Sequence, residues 1–227
     1  TGIPDVNRSG GTSSRNQALV DQNLMMNEFK GYSKYYMIGG SASWANIRGF
    51  LSHNVEGLHL LEEGSWKSPN TDVWGLSDLD LFREAADALT ASPKPFVAVI
   101  QTAGFHRPYT IPEDNAGFEI RHPSEAVIKN YGFTGADEYN SLRFSDHALG
   151  EFFKIARKQP WFENTVFAIF GDHGLNDASL NMPPGYLGCR LQSNHTPMLI
   201  YAPGLVAEGR LTPGVDPRPC GQQIGRA

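Results

Sequence analysis

The chain predicts an α/β fold, a three-layer α/β/α sandwich around a mostly parallel sheet. Short uncharged runs rich in β-branched and aromatic residues alternate with longer amphipathic runs, the pattern of strands covered by helices. Residues 96–102 and 165–170 lack charge altogether, as suits strands buried on both faces. No internal repeat or linker divides the 227 residues, and single α/β domains commonly run to ~200–250, so one domain spanning 1–227 is expected.

The elements follow in order. Residues 19–30 carry Leu19, Leu24, Met25, Met26 and Phe29 on a partly helical spacing, with Gly31 as the stop. Residues 32–38 read as a strand, and Gly39-Gly40 as a turn into a short helix over 43–51. A weaker strand covers 57–61. Ser77 with Asp80 three residues on resembles a capping box opening a helix through Leu81, Ala85 and Leu89, which Pro93 and Pro95 end. The strand 96–102 follows. Residues 110–135, with Pro112, Pro123 and several glycines, read as an irregular excursion over the site. Leu142, Leu149, Phe152, Phe153 and Ala156 mark a long helix over 139–157, stopped before Pro160. Strand 165–170, a Gly/Pro/Asn-rich loop over 175–194 and strand 198–201 complete the order.

Composition narrows the function classes. A formal charge of −5, from 19 basic and 24 acidic residues without a Lys/Arg cluster, gives no footprint for nucleic acid or an anionic membrane surface. No apolar stretch approaches the ~20 residues of a membrane span, and no signal peptide precedes Thr1. Cys189 and Cys220 stand in neither a metal-type nor a redox-type spacing and leave the compartment undecided; a disulfide between them has no support.

The run from Thr165 to Gly174 carries the chemistry. After an apolar strand, Gly171 permits a turn, and Asp172 and His173 emerge beyond the strand's carboxyl end, where open α/β sheets place their ligands. A carboxylate oxygen beside an imidazole nitrogen suits Zn, Mn or Fe better than Ca. The same tripeptide also fits a polar β-to-α turn in which Asp172 caps the next helix. His106 follows strand 96–102 at its carboxyl end, on the same predicted rim. His195 precedes strand 198–201 and reaches that rim only if the strand is antiparallel or its leading loop folds back. Asp146 and His147 read as structural.

Ordered segments beyond this run resemble the alkaline phosphatase and sulfatase superfamily, and within it the lipoteichoic acid synthase and phosphoglycerol transferase branch. They are Gly39-Gly40 with Trp44; Trp74-Gly75-Leu76-Ser77-Asp78-Leu79-Asp80-Leu81-Phe82; Lys94-Pro95-Phe96; and His106-Arg107-Pro108-Tyr109. They continue with Tyr139 through Asp146-His147-Ala148-Leu149-Gly150; Trp161-Phe162-Glu163-Asn164-Thr165; Gly171-Asp172-His173-Gly174; and His195-Thr196-Pro197 through Pro203. The resemblance implies that Asp172 and His173 bind a catalytic divalent metal, Mn or Mg in this branch and Zn or Ca in relatives. It implies that His106 contacts the substrate's phosphate or glycerol, that Trp44 lines the same pocket, and that His195 binds phosphate or a second metal. A phosphate or sulfate ester is the implied substrate. The implied location is extracytoplasmic, with a membrane anchor in the full-length protein.

The same resemblance implies a hydroxyl or formylglycine nucleophile that attacks phosphorus or sulfur. By family spacing it belongs upstream of Thr1, together with a further acidic metal ligand. Gly11-Thr12-Ser13-Ser14-Arg15 offers Thr12 as a nucleophile inside the chain, but Tyr32 follows it sooner than the family pattern has it. At the other end, Gly221-Gln222-Gln223-Ile224-Gly225 stops where a Gln-Ile-Asp segment is expected, so the chain reads as a domain shortened at both ends. Three activities follow: transfer or hydrolysis of phosphoglycerol-type diesters through a covalent phospho-enzyme, sulfuric ester hydrolysis, or non-catalytic binding of an anion or partner.

Overall fold

The computed structural model describes residues 21–93, 95–174, 182–183, 185–189 and 191–218. The chain divides into two compact units, Thr1–Ala103 with Val215–Ala227, and Gly104–Gly214. Thr12 and Cys220 lie outside the described residues, while Cys189 is an exposed free thiol. Among the described residues no helix is long and apolar enough to cross a membrane.

The first unit is built on a parallel sheet. Strand β1 (Ser33–Ile38) lies between β2 (Leu58–Leu61) and β3 (Phe96–Gln101), all parallel, with Tyr36 level with Leu60 on one side and Val99 on the other. As the central strand β1 buries Ser33, Tyr35, Met37 and Ile38, whereas β3, at the edge of this sheet, is only half-buried. Tyr36 donates its hydroxyl to Gln101 across the pair, and burial pushes the phenol up to about 12.

Helix α1 (Ile47–Asn54) packs on β2, and α2 (Asp78–Thr90) packs on β1 and β3. Ser77 caps α2 as expected: it accepts from the Asp80 backbone N–H at 3.1 Å and donates its hydroxyl to the Asp80 carboxylate at 2.9 Å. Leu79, Leu81, Phe82, Ala85, Ala86 and Leu89 form the buried stripe of α2. Before α1, Trp44–Asn46 form a 3-10 turn with Ala45 and Asn46 in left-handed backbone, which shifts the helix predicted over 43–51 to a start at Ile47.

The predicted helix over 19–30 is not formed in its described part, which holds only the 3-10 turn Met25–Glu28. The physical reason is a polar clamp to α1. Asn27 donates to the Asn54 carbonyl at 2.6 Å and accepts from the Glu56 N–H, while the Asn54 side chain accepts from the Gln22 N–H. This clamp lets Leu24 and Met26, two apart, both bury against Phe50 and Val55, as a continuous helix would not.

The second unit centres on α4 (Ala136–Ala156) and an antiparallel ribbon of β4 (Phe167–Phe170) and β5 (Met198–Tyr201). Phe167 meets the rings of Phe152, Phe153, Trp161, Phe162 and Tyr201, the closest being Phe153 at 5.0 Å between centroids. The expectation that 165–170 is covered on both faces fails. Phe167 and Ile169 are half-buried while Val166, Ala168 and Phe170 are exposed, because an antiparallel ribbon packs one face on the aromatic cluster. Residues 110–135 are not wholly irregular: Ser124 caps α3 (Glu125–Asn130). A further short helix, α5 (Leu191–Asn194), lies within the predicted loop 175–194, and α6 (Pro203–Ala207) follows β5. His147 is structural, as expected: its Nε2 meets the Asn115 carbonyl at 3.1 Å and its ring packs on Phe118.

Two predictions follow from this packing. Phe167→Ala should cost about 3 kcal/mol, given the half-burial of the ring; a lowered urea midpoint at unchanged slope would register it, and a loss under ~1 kcal/mol would deny the cluster its role. In the first unit, Glu62 accepts two hydrogen bonds from Arg48 at 2.6 and 2.8 Å, and these hold its carboxyl below the ordinary value against the opposing pull of burial. A depressed carboxyl stabilises the fold above its unfolded pKa of ~4.3 and loses that contribution as pH falls through its lower folded value. The gap in Tm between the native chain and Glu62→Gln should therefore be present at pH ~6 and close as the pH drops below ~4. A gap independent of pH would contradict it.

Candidate active site

The antiparallel register decides where the site residues fall. Phe170, the last residue of β4, pairs with Met198, the first of β5, so the segment after β4 and the segment before β5 lie at one end of the ribbon. That end carries Asp172 and His173 on one side and His195 on the other. The antiparallel strand that His195 required is present.

Two contacts join the segments. Gly174 donates its N–H to the Ser193 carbonyl at 2.9 Å, and Thr196 donates its hydroxyl to the Gly171 carbonyl at 3.3 Å. A Cβ on Gly174 would overlap the Gln192 carbonyl oxygen and come within 3.6 Å of the His195 carbonyl. The glycine is therefore required by close backbone approach. Gly171, which the sequence marks as the needed turn, has more room: a Cβ there meets the Thr196 methyl at 3.2 Å.

Asp172 and His173 form one exposed pair. The carboxylate accepts from the His173 N–H at 2.9 Å, and His173 Nδ1 lies 2.9 Å from the Gly174 carbonyl. A carbonyl only accepts, so Nδ1 carries the proton and Nε2 the lone pair in the neutral ring. That Nε2 stands 3.8 Å from Asp172 Oδ2, and both side chains are largely open to solvent, at 69% and 88%. A carboxylate oxygen and an imidazole nitrogen so placed fit a divalent cation as two neighbouring ligands, with the backbone carbonyl holding the tautomer. Among the described residues no group of three or more His, Cys, Asp or Glu side chains converges into a metal cluster.

Of the other predicted residues, His195 lies between Ser193 and Thr196, the two residues that bond the turn after β4, and its Nδ1 lies 3.4 Å from the Tyr186 hydroxyl, a partner sequence reasoning did not name. His106 is exposed on a turn closed by the Tyr109 N–H to the His106 carbonyl at 2.8 Å, and its Nδ1 donates to the Arg107 carbonyl at 3.0 Å. Trp44 belongs to the first unit. It is not core but 49% exposed, edge-to-face with Trp74 at 6.2 Å.

The His106 turn is anchored by Tyr109, Glu138 and Ser141, to which the sequence reading gave no role. Tyr109 adopts φ +66°, a left-handed conformation that costs a bulky residue ~1–2 kcal/mol. Its hydroxyl donates to Glu138 at 3.0 Å, and burial is the first cause that raises its pKa above the ordinary phenol. Glu138 is 5% exposed and accepts also from the Thr134 N–H and hydroxyl, at 2.6 and 2.7 Å. Ser141, one turn on, donates to the Gly104 carbonyl at 2.6 Å.

Comparisons with known proteins bear on the family and the fold. The sequence matches the Sulfatase family over residues 1–217, and the chain belongs to that family. It is 27% identical over 195 residues to a lipoteichoic acid synthase of Staphylococcus aureus, covering 82% of this chain and 28% of that protein. It is 26% identical over 215 residues to lipoteichoic acid synthase 1 of Bacillus subtilis, covering 89% and 32%. The chain thus spans less than a third of the length of these relatives. Among solved structures, an alkaline phosphatase superfamily protein of Vibrio parahaemolyticus superposes with a TM-score of 0.60 at 28% identity, over 78% of this chain and 40% of that one. The lipoteichoic acid synthase LtaP of Listeria monocytogenes shares the fold with a TM-score of 0.61 at 17% identity, over 82% and 47%. The α/β fold is that of the alkaline phosphatase superfamily.

Gly174→Ala should separate α5 from the turn after β4, since a backbone carbonyl cannot rotate away as a side chain can. Nuclear magnetic resonance would show the His195 and His173 ring signals shifting together, while a stability change near zero with both signals unmoved would contradict the contact.

Proposed function

We propose that this chain is catalytic machinery of a metal-dependent phosphoglycerol transferase or phosphodiester hydrolase, acting through a covalent phospho-enzyme on glycerophospholipid- or polyglycerolphosphate-type esters. The observation that carries the reading is that the segments bearing Asp172, His173 and His195 lie at one end of an antiparallel ribbon, in a chain similar to lipoteichoic acid synthases. Asp172 Oδ2 and His173 Nε2 would hold the divalent cation, Mn or Mg before Zn or Ca. Bound there, the cation supplies positive charge against the ester's non-bridging oxygens.

The chain's own residues supply recognition. His173 offers Nε2 because its Nδ1 proton is engaged by Gly174. His195 and His106 present ring nitrogens to anionic oxygens; for His106 the nitrogen opposite the Arg107 hydrogen bond donates when the ring is protonated. Trp44, exposed beside Trp74, offers an aromatic face to a glycerol backbone. Thr12 is the candidate hydroxyl nucleophile within the chain. By its similarity to lipoteichoic acid synthases we propose a location on the extracytoplasmic side of the cell envelope.

The Sulfatase family match favours sulfuric ester hydrolysis as the second reading. Assays on bis(p-nitrophenyl) phosphate and p-nitrophenyl sulfate with added Mn separate the two. Phosphodiester turnover that falls on the order of 100-fold in Asp172→Ala is expected, as befits loss of a direct metal ligand, with Mn binding by calorimetry falling in parallel. Turnover of the sulfate alone would favour the second reading. A folded chain that neither turns over ester nor binds Mn would mark a non-catalytic, anion-binding domain.

A further inference from the structure

Helix α4 buries a short row of polar side chains at its start, Glu138, Asn140 and Ser141, where a packed helix ordinarily carries apolar residues. Each reaches across to chain far away in sequence. Ser141 holds Gly104, Glu138 holds Tyr109, and Asn140 accepts from the Arg121 N–H at 2.9 Å while donating to the Arg121 carbonyl at 2.8 Å. Ser141 and Glu138 are three apart, on one helical face, and their targets flank His106 on both sides.

Glu138 has a local duty, since its contacts with Thr134 close the helix start in the manner of a capping box. That duty needs only one of its oxygens. Oε1 is spent on Tyr109, 29 residues away in sequence, whose backbone stays in the left-handed region. Both oxygens of this buried carboxylate thus have donors.

We infer that Glu138 and Ser141 are positioning residues that fix the 104–109 turn and so aim the His106 ring at the ester's phosphate. The inference rests on the reading of His106 as a phosphate contact. Glu138 acts through the Tyr109 hydroxyl, and Ser141 through the Gly104 carbonyl, so either loss frees one flank of the turn.

The test uses Tyr109→Phe, which keeps the ring and removes only the hydroxyl, beside Glu138→Gln, Ser141→Ala, their pairings and His106→Ala. The readouts are the His106 ring signals, amide exchange over 104–109, and titration with glycerol 1-phosphate. Tyr109→Phe should shift the His106 signals, speed exchange in the turn and weaken glycerol 1-phosphate about tenfold, with the thermal midpoint nearly held. Non-additive losses are expected in the double variant with Glu138→Gln, because both substitutions act on the one Tyr109–Glu138 contact. Unmoved His106 signals and unchanged turn exchange in both Tyr109→Phe and Ser141→Ala would overturn the positioning role. Unchanged affinity in His106→Ala would instead overturn the phosphate-contact reading, and the His106 signals of Tyr109→Phe and Ser141→Ala would still report whether the turn is held.

Discussion

The antiparallel pairing of β4 with β5 is the constraint on which the site depends. Had β5 run parallel, Met198 would open at the far end of β4 and His195 would sit about a strand's length from Asp172, on the order of 10 Å at 3.3 Å per residue. Pairing Phe170 with Met198 puts the two flanking segments side by side. The Gly174 N–H to Ser193 carbonyl bond then fixes their spacing. The ribbon holds its place because Phe167 and Tyr201, opposite one another, both sink into the rings of Phe153 and Phe162.

The glycines of Gly171-Asp172-His173-Gly174 thus do different work from what the motif suggests. A turn after a strand makes the first glycine look indispensable, yet its surroundings nearly admit a side chain. The second glycine faces a carbonyl from another segment, and no rotamer relieves that contact. The exposed Asp172 and His173 side chains are held by backbone groups of their own turn, so their orientation is local while the position of their third neighbour, His195, is tertiary.

Much of the scaffold was legible because its signals are local. β1 and the capped start of α2 rest on β-branched and aromatic runs and on a Ser77–Asp80 pair that any helix start would use. The pair Asp172–His173 was legible for the same reason, being adjacent in sequence. The direction of β5 was not, since four apolar residues carry no sign of parallel or antiparallel pairing. The 19–30 segment misled because its apolar spacing suits a helix, while the Asn27–Asn54 clamp that holds the described part otherwise spans 27 residues. Glu138 was invisible as a buried group: on a helix, Glu reads as a solvent-facing residue. The one local hint was Thr134 four residues before it.

The two kinds of anchoring differ in what they can tolerate. His195 is placed by backbone bonds and packing, which vary little with side-chain chemistry, so the ribbon end tolerates change at exposed positions such as Ala168. His106 is placed by side chains, a phenol and a serine hydroxyl reaching a left-handed turn. If the two histidines serve one site, as proposed, its sensitivity to substitution is concentrated at the side-chain-held His106. On the proposed reading, Tyr109, Glu138 and Ser141 would therefore govern the placing of His106 without touching the ester.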